Sequence, residues 1–173
     1  MTENIEYDDE GYYSGIDRKY IDRQVYKCGK GLCSGYSNLF IYIGKIIGLY
    51  VLYIRGYSKG IDDNPKDITN NLHALNVIKL ENVFYLIDST RGAGNSNNNN
   101  KNNKKFEKQY NKFYFCTEPQ YFIDSHYPVE KKWQLINPPF SFQEFIKRVI
   151  FTCQFHMFFK TDCIYDNIQV KKK

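Results

Sequence analysis

Histidine is scarce in this chain of 173 residues, with three in all, and none of the five cysteines (Cys28, Cys33, Cys116, Cys153, Cys163) stands in a C-x-x-C pair. A zinc site would have to draw on an unpatterned mixture of ligands, so no metal is expected. Long apolar runs are also missing. The longest are broken by Gly44, Lys45 and Arg55, far short of a membrane span. The opening "MTENIEYDDEGYY" has neither a basic n-region nor an apolar h-region, so no secretory leader is expected, and the odd cysteine count fits a reduced, cytoplasmic chain. The net charge of +5 lacks a binding-face pattern. Residues 101–112 carry +4 and Lys171, Lys172 and Lys173 carry +3, leaving −2 for the rest. Positive charge gathered in an insert and a tail is solvated chain rather than a groove for nucleic acid, and no nucleic-acid partner is expected.

What remains is ample material for one domain. The length supports a real core, and 16 Tyr and 13 Phe supply packing. Residues 1–150 read as one domain, interrupted by "NSNNNNKNNKK" (95–105), a low-complexity polar stretch expected to be a disordered surface loop. Residues 151–173 read as a C-terminal extension, the first strand of a following domain that then stops.

The spacing predicts a helix from Cys33 to Ile47, with Tyr36, Leu39, Phe40, Ile43, Ile46 and Ile47 on one face. Gly48 follows, where left-handed backbone suits glycine. "YVLYIRGY" (50–57) reads as a strand and 58–71 as a loop. "HALNVIKL" (73–80) and "VFYLIDST" (83–90) flank Glu81-Asn82, a two-residue hairpin turn. "KFYFCT" reads as a strand and "EPQYFID" as a short helix. "SFQEFIKRVI" reads as a helix begun by Ser141 with Glu144 in a capping box. Helices first and an antiparallel sheet after indicate the α+β class.

Cys33 stands between glycines at a helix start, in "GKGLCSGYSNLF" (29–40). The partial positive charge there favours a thiolate, and free backbone N–H groups can hold an oxyanion. On this feature alone, inert packing is the commoner fate of a buried cysteine. The hairpin adds geometry. A two-residue loop sets Leu80 opposite Val83 and Leu75 opposite Asp88. His73 and Asp88 then become diagonal neighbours on one face, close enough for long side chains to bridge. Asp88 could fix the imidazole tautomer and leave the other ring nitrogen for Cys33. A surface Asp ending one strand and a His starting the other remain an equal alternative on periodicity.

The ordered string "GLCSGYSNLF", "IRGYSKG", "HALN", "FYLIDSTRGAG", "FYFCTEPQYFIDSHYP", "WQLI" resembles the transglutaminase-like superfamily, closest to its kyphoscoliosis peptidase-like branch, across about residues 4–146. The resemblance implies a papain-like α+β fold, with the nucleophile helix packed on an antiparallel sheet. It also implies a Cys-His-Asp triad at Cys33, His73 and Asp88. Two family tryptophans beside the triad are Leu75 and Arg91 here, and Tyr36, Leu75 and Arg91 are expected to line the substrate cleft. The family's side-chain oxyanion donor falls near Tyr20 and Gln24, leaving the Cys33 backbone N–H as the expected donor. His126, Pro128 and Trp133 to Leu135 match further family motifs and are expected to pack the sheet against a helix. Cys28, Cys116, Cys153 and Cys163 have no polar partner in the pattern.

The chemistry implied is acyl transfer on a protein or peptide substrate, tilted by the branch towards hydrolysis. No D-x-D-x-[DN]-G run occurs, so neither calcium nor another cofactor is expected. A reading from another class is a non-catalytic interaction module with a cytoskeletal partner, since fold does not fix function. Family members lead into the "NIEYD" segment with a helix that this sequence does not supply. An open face including Leu39, Phe40 and Ile43, in a chain that is marginally stable, self-associating or a fragment of a longer product, is the expectation that follows.

Overall fold

A computed structural model describes residues 4–14, 22–60, 63–97 and 105–159. In chain order the first elements are β1 (Glu6–Tyr7), α1 (Asp9–Ser14), α2 (Asp22–Cys28), β2 (Lys30–Gly31) and α3 (Cys33–Ile46). The sheet region follows with β3 (Tyr50–Ser58), β4 (Leu72–Leu80), β5 (Val83–Ile87), β6 (Gly94–Asn97) and β7 (Lys105–Lys108). The rest comprises β8 (Phe115–Thr117), α4 (Pro119–Phe122), β9 (His126–Pro128), α5 (Phe142–Lys147) and α6 (Cys153–Phe159). Five strands form one antiparallel sheet in the order β8-β5-β4-β3-β9, and α3 packs on β3 and β4. This is the expected α+β arrangement of a helix on an antiparallel sheet.

The central hairpin follows from its turn chemistry. Glu81 and Asn82 both take left-handed backbone, φ 46° and 67°, which twists with the strands and seats Leu80 opposite Val83. The ladder then runs to Asn76 opposite Ile87. Leu75 and Val77 bury against Ile54, Leu86 and Phe122, with Phe84 and Trp133 closing that cluster. On the opposite face Asn76 donates through Nδ2 to the carbonyls of Ser37 and Leu52 (3.2 and 3.1 Å), tying α3 to the sheet. The Trp133 ring meets Phe84 edge-on at 5.4 Å, the packing role expected of it.

The face of α3 is shifted from the one the spacing predicts. Tyr36 and Leu39 are buried, but Ile46 and Ile47 are 67% and 63% exposed. Gly35, Ser37 and Gly44 take the close contacts instead. A Cβ on Gly44 would stand 2.6 Å from Val51 Cγ2, so the helix meets β3 at a side-chain-free position and its last turn overhangs the sheet. Gly48 leaves the helix at φ 76°, as expected. The open apolar face is not observed either. Leu39 lies in a cluster with Ile5, Val25, Tyr36 and Ala93, and Ile43 packs against it, so β1 and α2 provide cover.

Two further expectations are corrected. The low-complexity stretch 95–105 is not wholly a loop, because its ends pair as β6 and β7, Asn95 with Glu107 and Asn97 with Lys105; residues 98–104 lie outside the described residues. Phe106 anchors this ribbon by stacking on Tyr7 at 5.3 Å. The segment after 151 begins with a helix, not a strand. Thr152 Oγ1 accepts the Phe155 N–H, and Phe151 stacks on Phe155 at the i, i+4 spacing of a helix (4.8 Å). In α6 the buried His156 reaches Asp124 Oδ2 at 3.1 Å and stacks on Tyr121 at 4.6 Å. Residues 160–173 are outside the described residues. The capping box of α5 is present, Ser141 Oγ accepting from the Glu144 N–H and the Glu144 carboxylate accepting from the Ser141 N–H.

Candidate active site

Cys33 is the first residue of α3. The residue before it, Leu32, has extended backbone and no side chain caps the helix, so the first-turn N–H groups are left for another acceptor. Burial pushes the Cys33 thiol up, but a hydrogen bond to His73, the charge of that imidazole and the Ala74 backbone N–H outweigh it, and the net direction is down. His73 Nε2 lies 2.7 Å from Asp88 Oδ2, which leaves Nδ1 for the cysteine. Burial works against a charged His73. The Asp88 carboxylate, with Cys33, overrides it and lifts the imidazole to about 10. A depressed thiol beside a raised imidazole favours the thiolate–imidazolium pair over the neutral one.

Asp88 is saturated with donors. Its Oδ1 accepts the N–H groups of Thr90 and Arg91 (2.9 and 3.0 Å), and its Oδ2 accepts from His73 and from His126 Nε2 (2.7 and 2.8 Å). Burial alone would raise its pKa; the two histidines more than offset that and hold the carboxyl well below the usual range. The register inferred from the two-residue turn thus brings His73 and Asp88 together, and the end of α3 supplies Cys33.

His126 was expected only to pack. It does stack on Phe122 at 4.3 Å, yet its ring also joins the carboxylate cluster. The reason lies in β3, which runs between the two histidine strands. Gly56 pairs with His73 on one side and Pro128 on the other, and Ser58 pairs with His126. Residues opposite each other share a face, so a side chain at Gly56 would stand on the face that carries both histidines. A Cβ there would stand 2.8 Å from the Tyr127 carbonyl oxygen and 2.9 Å from Leu75 Cδ1. With glycine in place, the rings of His73 and His126 approach to 5.8 Å. The "H-x-P" string was the signal in the sequence, but only the β3–β9 register gives it a polar meaning.

The three residues expected to line a cleft do not do so together. Tyr36 is fully buried, its hydroxyl donating to the Ile5 carbonyl at 2.8 Å, and Leu75 is fully buried in the sheet core. Neither presents surface to a substrate. The expectation for Leu75 rests on a family tryptophan at its position and that for Tyr36 on the family motif around Cys33, while the strand and helix periods turn both side chains inward. Arg91 is half-buried; it supports Asp88 through its N–H, and its guanidinium donates to the Lys59 carbonyl at 3.3 Å. The aromatic groups within electrostatic reach of Cys33 include Tyr7 and Tyr53. Tyr20 lies outside the described residues, and Gln24 is exposed on α2.

Among the described residues, His73, Asp88 and His126 form a group that could hold a metal ion. Their donor atoms touch at 2.7 and 2.8 Å, tighter than the roughly 3.3 Å between tetrahedral ligands set about 2.0 Å from zinc. The spacing is that of hydrogen bonds. No helix among the described residues is long and apolar enough to cross a membrane.

No protein-family model matches the chain. Kyphoscoliosis peptidase of Mus musculus is 32% identical over 158 residues, covering 90% of this chain and 23% of the relative, and the Homo sapiens protein matches to the same extent. The chain therefore spans about a quarter of the length of these curated relatives. A crystal structure of a TGase aligns with 67% of this chain and 28% of its own, at 18% identity and a TM-score of 0.36.

Proposed function

Because the chain belongs to the kyphoscoliosis peptidase-like branch of the transglutaminase-like superfamily, we propose that it is a cysteine-dependent acyl-transfer enzyme that hydrolyses amide bonds in protein or peptide substrates. The observation that carries the reading is the 2.7 Å contact of His73 with Asp88, beside a Cys33 thiol that the imidazole draws down. In this mechanism the Cys33 thiolate attacks an amide carbonyl. The oxyanion is held by backbone N–H groups of the uncapped first turn of α3. His73, imidazolium at that moment, gives its proton to the leaving amine and a thioester remains on Cys33. Now neutral, His73 takes a proton from water, the hydroxide adds to the thioester, and the acid product departs as the thiolate is regenerated. Asp88 stays ionised throughout and holds the imidazole by Nε2. Water as acceptor gives hydrolysis, in keeping with the peptidase name of the relatives; an amine acceptor would give crosslinking.

The test is to mix the protein with a peptide library, quench in acid within seconds and weigh the intact protein. An acyl adduct mapping to Cys33, absent from Cys33→Ala, together with new peptide carboxyl ends, is the expected result. Binding of peptides without adduct or cleavage would overturn the proposal in favour of an interaction module.

A further inference from the structure

The proposed mechanism leaves one fully buried group unused. His126 meets the same carboxylate oxygen of Asp88 that holds His73. Its other nitrogen, Nδ1, lies 2.8 Å from Ser125 Oγ. The two contacts fix the proton. If Nδ1 carried it, the bare lone pair of Nε2 would face a carboxylate oxygen at 2.8 Å, which is repulsive. If both nitrogens carried protons, a cation would be buried in an aromatic box of Phe122 and Tyr114. The remaining form has the Ser125 hydroxyl donating to Nδ1 and neutral His126 donating from Nε2 to Asp88.

We propose that Ser125 and His126 are positioning residues for the reaction: the hydroxyl locks the His126 tautomer, and His126, by sharing Asp88 Oδ2 with His73, fixes the carboxylate and limits how strongly it grips the His73 proton. The inference rests on the catalytic reading above. A carboxylate with one fewer donor is more basic, so His73 would hold its proton harder and give it up later. The groups facing His126 are Asp88, Arg91 and His73, and those facing His73 are Asp88, Cys33 and His126. Burial holds His126 itself neutral, lowered to about 4.

Imidazole ¹⁵N NMR titration of the full chain tests this without any substrate. In the wild type, His126 is expected as the neutral Nε2–H tautomer from pH 8 down to about 5. His126→Phe keeps the stacking ring and loses the donor, and the His73 midpoint is expected to rise by about one unit. His126→Gln places an amide donor near the Nε2 position, and the midpoint is expected to return towards wild type. A His126 found as the Nδ1–H tautomer would overturn the relay even if neither variant folds. So would a His73 midpoint unchanged in a folded His126→Phe protein. Failure of the catalytic reading registers separately, as a wild-type Cys33 that forms no acyl adduct.

Discussion

Cys33 and Cys28 are both unpaired thiols only five positions apart, and their surroundings set them far apart in chemistry. Cys28 is exposed and its sulfur sits 3.3 Å from the Lys30 carbonyl oxygen, an acceptor that does nothing for a thiolate. Cys33 has an imidazole and the Ala74 N–H, both of which favour the anion. Burial opposes them, so the depressed thiol depends on its partners. Removing one should therefore reverse the direction. In His73→Ala the burial contribution remains while the hydrogen bond and charge are lost, and the Cys33 midpoint is expected to rise above that of an ordinary thiol. Alkylation at pH 7 should slow by about tenfold or more, since each unit of pKa is a tenfold change in thiolate near neutrality. Peptide mapping of the alkylation rate against pH checks this, and a midpoint still below 9 in the variant would contradict it.

Among the elements, the hairpin and the helix that begins at Cys33 were legible in the sequence because their signals are local. Glu81-Asn82 sets a register, and the register alone places His73 beside Asp88. Cys33 between glycines marks a helix start. What was not legible depends on contacts across strands or on close approach of backbones. His126 joins the site across β3 beside Gly56, where a Cβ would crowd the Tyr127 carbonyl, and Ile46 and Ile47 face solvent past Gly44, where α3 closes on Val51. Gly56→Ala is the direct test of the first point. The methyl group meets backbone at 2.8 Å, which cannot give way as a flexible side chain would. A loss of about 1–3 kcal/mol in stability is expected by denaturant unfolding, together with altered shifts of both histidines. A neutral substitution would show that the strands have slack there. The β6–β7 ribbon offers a second test. Replacing residues 98–104 by Asn-Gly keeps the Asn97–Lys105 pair and closes it with a two-residue turn, so stability should change by less than about 1 kcal/mol. Deleting 96–105, which also removes ladder pairs, should lower the melting temperature measurably.

At the scale of the whole molecule, the same buried cluster ties stability to pH. His126 is neutral in the fold, lowered to about 4, whereas an unfolded histidine titrates near 6.5. The unfolded chain thus binds the extra proton first, and stability present above about pH 6.5 is lost as pH falls towards 4. Asp88, also depressed in the fold, adds to the loss below about pH 4. His73 has the opposite sign. Raised to about 10, it stabilises the fold fully below about pH 6.5 and loses that contribution as pH rises through 10, so below pH 7 it offsets only a small part of the acid loss. Denaturant unfolding should therefore give a stability about 2–3 kcal/mol lower at pH 4.5 than at pH 7 from His126, a difference that shrinks in His126→Phe. Equal acid sensitivity in the two proteins would place its origin elsewhere.

The central claim is that Cys33 is held as a reactive thiolate by His73 and Asp88. Its most direct measurement is the site-resolved rate of alkylation by iodoacetamide across pH 5 to 9, followed at all five cysteines by peptide mapping. The account predicts that Cys33 reacts first, well ahead of the more exposed Cys28, and that its lead is greatest at the acid end of the range. A Cys33 that reacts no faster than Cys28 at pH 6, in a folded protein, would contradict it.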